Sequence, residues 1–187
     1  MSEAEALGQE SSAAASPEEP VAAVADGRLA SDANSLRALG WAVAEPSWRL
    51  PSFNLEDDRG RSVSSSDLDG ILTVVSFWAS WCEGCEDELR ALQALHSTAD
   101  EADLMILPIN TMDRKSRAAQ IMEKTGFTVP VLWDKGLGRE IGVVGLPTNY
   151  VVDRTGCVVA LRYGPIEEAN ITKVLRILGR ESPNQPC

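Results

Sequence analysis

Two cysteines separated by two residues, Cys82 and Cys85, are the part of the sequence best suited to chemistry. They lie where a predicted buried strand ends and a predicted helix begins. The unpaired N–H groups of a first helical turn favour a thiolate, and they lower the pKa of such a cysteine from about 8.5 to about 3.5–7.5. We therefore expect Cys82 to be the nucleophile and the more buried Cys85 to resolve a mixed disulfide.

Neither a structural disulfide nor a metal site explains this pair well. Closing so short a loop stabilises a fold by only about 2 kcal/mol in the loop-entropy treatment. Structural zinc needs four nitrogen or sulfur ligands, whereas the chain has one histidine, His96, and four cysteines, of which Cys82 and Cys85 are close in sequence. We expect no metal and no organic cofactor, so that the Cys82–Cys85 disulfide is itself the redox group.

The elements around the pair alternate between strands and helices. Residues 71–77 are nearly all apolar, as in a strand buried on both faces, and a helix follows from Glu83 to about His96. A hairpin is predicted ahead of them, from a strand at 48–55, a turn at 57–60 and a short strand at 61–63. The same periodicities predict strands at 104–109, 129–133, 149–153 and 158–163, helices at 35–41, 114–124 and 167–178, and a helical turn at 137–141. The fold class is α/β, with a mixed β-sheet covered by helices on both faces.

Composition divides the chain into three parts. The net charge of −11 would repel a phosphate backbone, so nucleic acid is not expected as a partner. Residues 1–35 are too poor in large apolar side chains to offset the entropy of ordering them, which predicts a disordered acidic tail. A folded domain is predicted at 36–182 and a flexible C-terminus at 183–187. Cys157 is expected to be a small core residue, with an external pairing as the alternative, and Cys187 to remain unpaired.

The start of the chain leaves two interpretations of its compartment open. No basic segment followed by an apolar segment stands at Met1, and no run of 18 apolar residues occurs in the sequence. If an export signal or anchor precedes Met1, the acidic tail is a tether. Without one, a cytoplasmic protein is expected.

The stretch Phe77-Trp78-Ala79-Ser80-Trp81-Cys82-Glu83-Gly84-Cys85 resembles the active site of the thioredoxin superfamily. The wider region from about Pro46 to Leu178 is similar to the TlpA/ResA/CcmG-like thiol-disulfide oxidoreductases of the bacterial envelope. Glu88, the segment Gly145-Leu146-Pro147-Thr148 and the predicted hairpin extend the resemblance. It implies a thioredoxin-like fold with an N-terminal β-hairpin and a central αβ insertion within 110–133.

The resemblance also assigns roles to residues outside the pair. Pro147 resembles the family's cis-proline, which leaves the backbone of Leu146 open to an extended substrate. In thioredoxins a buried Asp six residues before the first cysteine assists proton transfer, but here that position holds Ser76, which cannot do so. Glu88 is expected to take the Cys85 proton instead. The alternative is that Glu88 is an ordinary helix-surface residue.

Three residues of the motif are expected to shape the substrate site. Trp81, next to the nucleophile, is predicted to be an exposed apolar contact for partners. Glu83 adds negative charge beside Cys82 and should oppose thiolate formation. Gly84, where many relatives have Pro, is expected to loosen the start of the helix.

The function implied by the resemblance is that of an enzyme that reduces or exchanges disulfides in protein substrates, for example in cytochrome c maturation. A membrane thiol reductant would re-reduce it, and the bacterial periplasm or cell envelope would be its compartment. A peroxiredoxin is one alternative, but that chemistry requires Thr or Ser three residues before the nucleophile and Pro four further back, where this chain has Ala79 and Val75. A copper-delivery protein would need Cys-x-x-x-Cys and a distant His. A redox-fold binding or chaperone module without turnover is the non-enzymatic alternative.

Overall fold

The computed structural model describes residues 31–100, 103–179 and 187. Its strands are β1 (Ala42–Arg49), β2 (Asn54–Glu56), β3 (Ser62–Ser64), β4 (Leu72–Trp78), β5 (Leu104–Asn110), β6 (Leu132–Trp133), β7 (Thr148–Val152) and β8 (Cys157–Tyr163). Its helices are α1 (31–38), α2 (Cys85–Thr98), α3 (Lys115–Thr125), α4 (Leu137–Glu140) and α5 (Glu168–Leu178), with a short 3₁₀ helix at Ser65–Leu68.

A six-stranded mixed sheet forms the centre of the fold, in the order β1-β8-β7-β4-β5-β6. Strands β4, β5 and β6 run parallel, while β7 and β8 are antiparallel to their neighbours. All seven residues of β4 are buried because this strand lies between β7 and β5. The predicted fold class is confirmed, and the central strand delivers the chain to Cys82.

The two faces of the sheet are covered differently. On one face, Val74 and Trp78 of β4 pack with Leu89 and Leu92 of α2, and this core also includes apolar residues of α1, α3 and α5. On the other face, Phe77 packs in a core formed with the β2–β3 hairpin, the 3₁₀ helix and α4. Helix α2, which begins at Cys85, therefore packs on the face of the sheet that carries most of the helices.

The prediction of a single strand at 48–55 was wrong, because one strand ends and another begins within this stretch. Strand β1 pairs with β8 at the edge of the main sheet, whereas β2 pairs with β3 in a separate two-stranded sheet. The apolar spacing from Leu50 to Phe53 is three residues, which breaks the alternation of a single strand. The predicted strand at 129–133 is also shorter than expected, since it begins only after Pro130, which has no N–H to donate.

The predicted disorder of the tail falls mostly on residues 1–30, which lie outside the described residues. At 31–35 the prediction was wrong, because α1 covers these positions and buries Leu36 in the core. At the other end, residues 180–186 lie outside the described residues. The expectation of an unpaired Cys187 was wrong, since Cys187 forms a disulfide with the buried Cys157, with their Cα atoms 5.5 Å apart.

Candidate active site

The Cys pair lies between the end of β4 and the first turn of α2, as the sequence predicts. Cys82 and Cys85 form a disulfide with a Cα–Cα distance of 5.5 Å. Cys82 is 9% exposed and Cys85 is 1% exposed. The expected difference in burial is confirmed, and it makes Cys82 the sulfur that an external disulfide can reach.

Gly84 was expected to loosen the start of the helix, but the structure gives it a defined role there. It is the N-cap residue of α2 and has a φ of 85°, in the left-handed region. Proline is held near −65° and cannot adopt this conformation. A Cβ at this position would also lie 3.2 Å from Cγ of Pro165. Glycine is therefore required by the local backbone and by the close approach of the segment after β8.

Acidic side chains share the helix N-terminus with Cys82. The first turn of α2 contains Glu86, Asp87 and Glu88. Lys124 of α3 binds Glu86 at 2.7 Å, and its hydrogen bond is the largest influence that lowers the pKa of that carboxyl. The positive end of the helix dipole thus acts on several negative groups as well as on a Cys82 thiolate.

Glu88 lies three residues after Cys85, on the buried side of α2, and is 1% exposed. Its Oε1 accepts a hydrogen bond from Ser76 Oγ at 2.5 Å, and its Oε2 accepts from Asn149 Nδ2 at 2.9 Å and from the backbone N–H of Ile166 at 3.1 Å. Burial raises the pKa of Glu88 to about 7, against these hydrogen bonds and the charge of Arg162. A surface position for Glu88 is excluded. Its role in proton transfer stays a prediction.

Two partners of Glu88 were not found from the sequence. Ser76 was considered and set aside because it cannot accept a proton as an Asp can, and Asn149 was not singled out. Their Cα atoms are paired in the β4–β7 register, so both side chains point to the face that carries α2. The available signal was the position of Asn149, two residues after Pro147.

Trp81 is 56% exposed, as predicted, and a neighbouring loop fixes it. Its Nε1 donates to the carbonyl of Met112 at 3.1 Å, and Met112, with a φ of 51°, is itself an exposed apolar residue. Asp113 holds this loop against the motif by accepting from the N–H of Ser80 at 2.5 Å and from Ser80 Oγ at 2.9 Å. Trp81 and Met112 therefore form an apolar surface beside Cys82.

The Leu146–Pro147 peptide bond is cis. The carbonyl of Pro147 accepts from the N–H of Gly164 at 2.9 Å, which joins this loop to the segment that contacts Gly84. Among the described residues, the backbone N–H and C=O of Leu146 form no hydrogen bond. The part that Leu146, Pro147, Glu83 and Gly84 play in substrate binding stays a prediction.

The profile of the AhpC/TSA family matches residues 47–161, which is more than half of the chain. The chain belongs to the AhpC/TSA family. Within this family match lie the Cys pair, Glu88 and Pro147. The sequence-based assignment to the thioredoxin superfamily is confirmed.

Curated relatives and solved structures agree with the family match. The thiol-disulfide oxidoreductase ResA of Halalkalibacterium halodurans is 25% identical over 143 residues, covering 75% of this chain and 81% of that protein. The thioredoxin-like protein YneN of Bacillus subtilis is 26% identical over 130 residues, covering 68% of this chain and 76% of that protein. The crystal structure of a thiol:disulfide interchange protein DsbE from Chlorobium tepidum superimposes with a TM-score of 0.64 at 25% identity, covering 71% of this chain and 97% of that one.

The predicted reaction class is confirmed by these relatives together with the paired Cys82 and Cys85: the protein is a thiol-disulfide oxidoreductase. Among the residues that the structure describes, no group of three or more His, Cys, Asp or Glu side chains could hold a metal ion. Within the same ranges no helix is long and apolar enough to cross a membrane. The absence of a cofactor stays a prediction.

Proposed function

We propose that the protein reduces or exchanges disulfides in other proteins, with Cys82 as the attacking and Cys85 as the resolving sulfur. The observation that carries this proposal is the disulfide at the start of α2, in which Cys82 is the more exposed sulfur and Cys85 lies on the helix that bears the buried Glu88. The apolar surface of Trp81 and Met112 and the open backbone of Leu146 offer contacts for an extended protein segment.

The reaction balances through two exchange steps. In the reduced enzyme, the Cys82 thiolate attacks a substrate disulfide, forms a mixed disulfide and releases one substrate thiolate. The Cys85 thiol then gives its proton to the Glu88 carboxylate, and the Cys85 thiolate attacks the Cys82 sulfur. The second substrate thiolate leaves, the substrate has gained two electrons, and the enzyme holds the Cys82–Cys85 disulfide. A thiol reductant must restore the dithiol.

We place this activity outside the cytoplasm, in the bacterial periplasm or cell envelope. The Cys157–Cys187 disulfide supports that compartment, because structural disulfides persist under oxidising conditions and are rare in the cytosol of mesophiles. The resemblance of the motif at 77–85 supports two finer proposals. The substrates include apocytochrome c, and a membrane thiol reductant supplies the electrons.

Reduction of insulin by dithiothreitol tests the activity. The wild-type protein should accelerate insulin precipitation over dithiothreitol alone, whereas Cys82→Ser should not. Cys85→Ser should accumulate mixed disulfides, and mass spectrometry should find the trapped partner on Cys82. A wild-type rate equal to that of dithiothreitol alone would favour a binding or chaperone module. A partner trapped on Cys157 or Cys187 would contradict the assignment of the nucleophile.

A peroxide assay separates the peroxiredoxin alternative. Ala79, three residues before Cys82, is buried and provides no hydroxyl for a peroxide. We expect the reduced protein to react with hydrogen peroxide no faster than an ordinary thiolate does. Rapid peroxide consumption that depends on Cys82 would overturn this expectation.

A further inference from the structure

Asn149 carries a buried polar atom that has no hydrogen-bond partner in the part of the chain that the structure describes. The side chain is fully buried, and its Oδ1 accepts no hydrogen bond from the described residues. Its Nδ2 donates to Glu88 Oε2 at 2.9 Å and lies 3.3 Å from the carbonyl of Gly164. The carbonyl of Gly164 and the ionised carboxyl of Glu88 are both acceptors, so these two contacts fix the amide with its nitrogen toward them. A buried acceptor left unsatisfied in this way has a free-energy cost.

Among the described groups that bind Glu88, the hydroxyl of Ser76 is the one that can both donate and accept. The N–H of Ile166 and the Nδ2 of Asn149 are donors in every state of the site, whereas a hydroxyl can rotate. In the structure, Ser76 Oγ donates to Glu88 Oε1 at 2.5 Å. Ser76 also lies directly opposite Asn149 in the β4–β7 register, on the same face of the sheet. Ser76 Oγ and Asn149 Nδ2 therefore hold the two oxygens of one carboxyl, and no hydrogen bond joins Ser76 to Asn149 Oδ1 in this arrangement.

We infer that Ser76 and Asn149 are positioning residues that allow Glu88 to hold either charge state during resolution. When Glu88 is ionised, the Ser76 hydroxyl donates to Oε1, as observed. When Glu88 takes the Cys85 proton, its new O–H donates to Ser76 Oγ, and a small shift of the Ser76 and Asn149 side chains lets the Ser76 hydroxyl donate to Asn149 Oδ1. No covalent bond changes at Ser76 or Asn149. The proton lost by Cys85 is the proton on Glu88, and the Cys85 thiolate forms the new S–S bond with Cys82.

The groups around Glu88 show why Ser76 and Asn149 are needed to accommodate its change of charge state. Among the described residues, the groups that face it are Ser76 from β4, Asn149 from β7, the N–H of Ile166 and the charged Arg162 from the β8 side. Cys85 lies on the same helix as Glu88, and Cys82 just before that helix. The guanidinium of Arg162 has hydrogen-bond donors only and cannot accept the new hydrogen. The inference rests on the proposed role of Glu88 and adds the residues through which that role operates.

Stopped-flow reaction of the reduced protein with the chromogenic disulfide dithiobisnitrobenzoate tests the inference. Attack by Cys82 releases the first coloured thiolate, and resolution by Cys85 releases the second. Ser76→Ala and Asn149→Ala each remove a donor from ionised Glu88, so we expect the pH midpoint of the second phase to rise by about one pH unit. Ser76→Thr should restore the midpoint because it keeps the hydroxyl. Thr73→Val is the matched control, because Thr73 is a buried hydroxyl of β4 on the opposite face.

The unsatisfied oxygen is tested separately, through the unfolding of the oxidised protein. At pH 5 the Ser76→Ala and Asn149→Ala variants remove the same hydrogen bond. The double variant should therefore change the unfolding equilibrium constant by about fivefold less than the product of the two single effects. At pH 8 they remove separate hydrogen bonds to Glu88, and the shortfall should be smaller. Equal shortfalls at both pH values would overturn the inference, as would an unmoved midpoint in the kinetic experiment.

The failure of the proposed function gives a different result. If Glu88→Gln leaves the second phase unchanged, Glu88 is not the proton acceptor and the proposed mechanism fails first. If Glu88→Gln slows that phase by about tenfold or more while the Ser76 and Asn149 variants keep the wild-type midpoint, only the inference fails. If Ser76→Ala does not fold, Asn149→Ala with its own pH profile decides the question.

Discussion

Glu88 combines deep burial with three hydrogen-bond donors, and the two effects oppose each other. The donors favour the ionised carboxylate, whereas burial favours the neutral acid. Burial prevails and raises the pKa of Glu88 to about 7. A carboxyl with this pKa is suited to accept a proton from a thiol and to return it near neutral pH.

The raised pKa predicts a dependence of stability on pH that Glu88→Gln should abolish. Since the pKa in the folded protein lies above the ordinary value of 4.5, the stabilisation is fully present below that value and is lost as the pH rises through about 7. The free energy of unfolding of the oxidised wild type should therefore fall, between pH 5 and pH 8, by up to about 3 kcal/mol relative to the variant. Urea titrations at both pH values measure it. Glu83→Gln, at an exposed carboxyl of the motif, is the control, and parallel curves for wild type and Glu88→Gln would contradict the prediction.

At the residue scale, local signals identified the site and long-range pairing completed it. The Cys pair and its burial order follow from motif spacing and the helical period, whereas Glu88 was singled out by the resemblance to the family. The contacts of Ser76 and Asn149 with Glu88 depend on the register between β4 and β7, which are separated by some seventy residues of sequence. No local pattern encodes that register. The sequence therefore showed that Ser76 stands at the position of the thioredoxin Asp, but it could not show which side chains Ser76 contacts.

The elements that hold the site were predictable where they are buried and difficult to predict at the edges. Strand β4 is buried throughout and α2 has a regular apolar face, so both carry strong patterns. Strand β1 lies at the sheet edge, with an irregular register between Val43 and Trp48 and a cis bond at Glu45–Pro46. Four of its eight residues are exposed and the other four are half-buried, so the strand lacks the regular alternation of buried and exposed side chains.

The junction between β4 and α2 predicts the effect of Gly84→Ala. An L-residue in the left-handed conformation costs about 1–2 kcal/mol, and the new Cβ would also press on Pro165. Gly70→Ala is the matched control, since Gly70 has a φ of 84° but no atom within 4 Å of the added Cβ. Denaturant unfolding of the oxidised proteins should show a larger loss for Gly84→Ala than for Gly70→Ala. Equal losses would mean that the Pro165 contact adjusts without cost.

At the scale of the whole molecule, the two disulfides have different surroundings and different sequence separations. The Cys82–Cys85 bond has a separation of 3 and lies at the helix start that favours exchange. The Cys157–Cys187 bond has a separation of 30 and joins the end of the chain to the buried start of β8. Short spacing and a helix N-terminus favour reversible chemistry, whereas a long closed loop favours stabilisation.

This difference predicts that Cys187→Ser lowers stability without removing the redox pair. Closing a loop of this length should stabilise the folded state by about 3–4 kcal/mol in the loop-entropy treatment. The variant changes an exposed residue, and it leaves Cys157 as a buried thiol in the place it already occupies. Thermal and urea unfolding under non-reducing conditions should therefore show a clear loss relative to wild type. The double variant Cys82→Ser/Cys85→Ser, which opens the shorter loop, should lose only about 2 kcal/mol by the same treatment. Insulin reduction by Cys187→Ser, measured below its unfolding range, should still depend on Cys82. A Cys187→Ser protein as stable as wild type would show that the second disulfide does not fasten the fold.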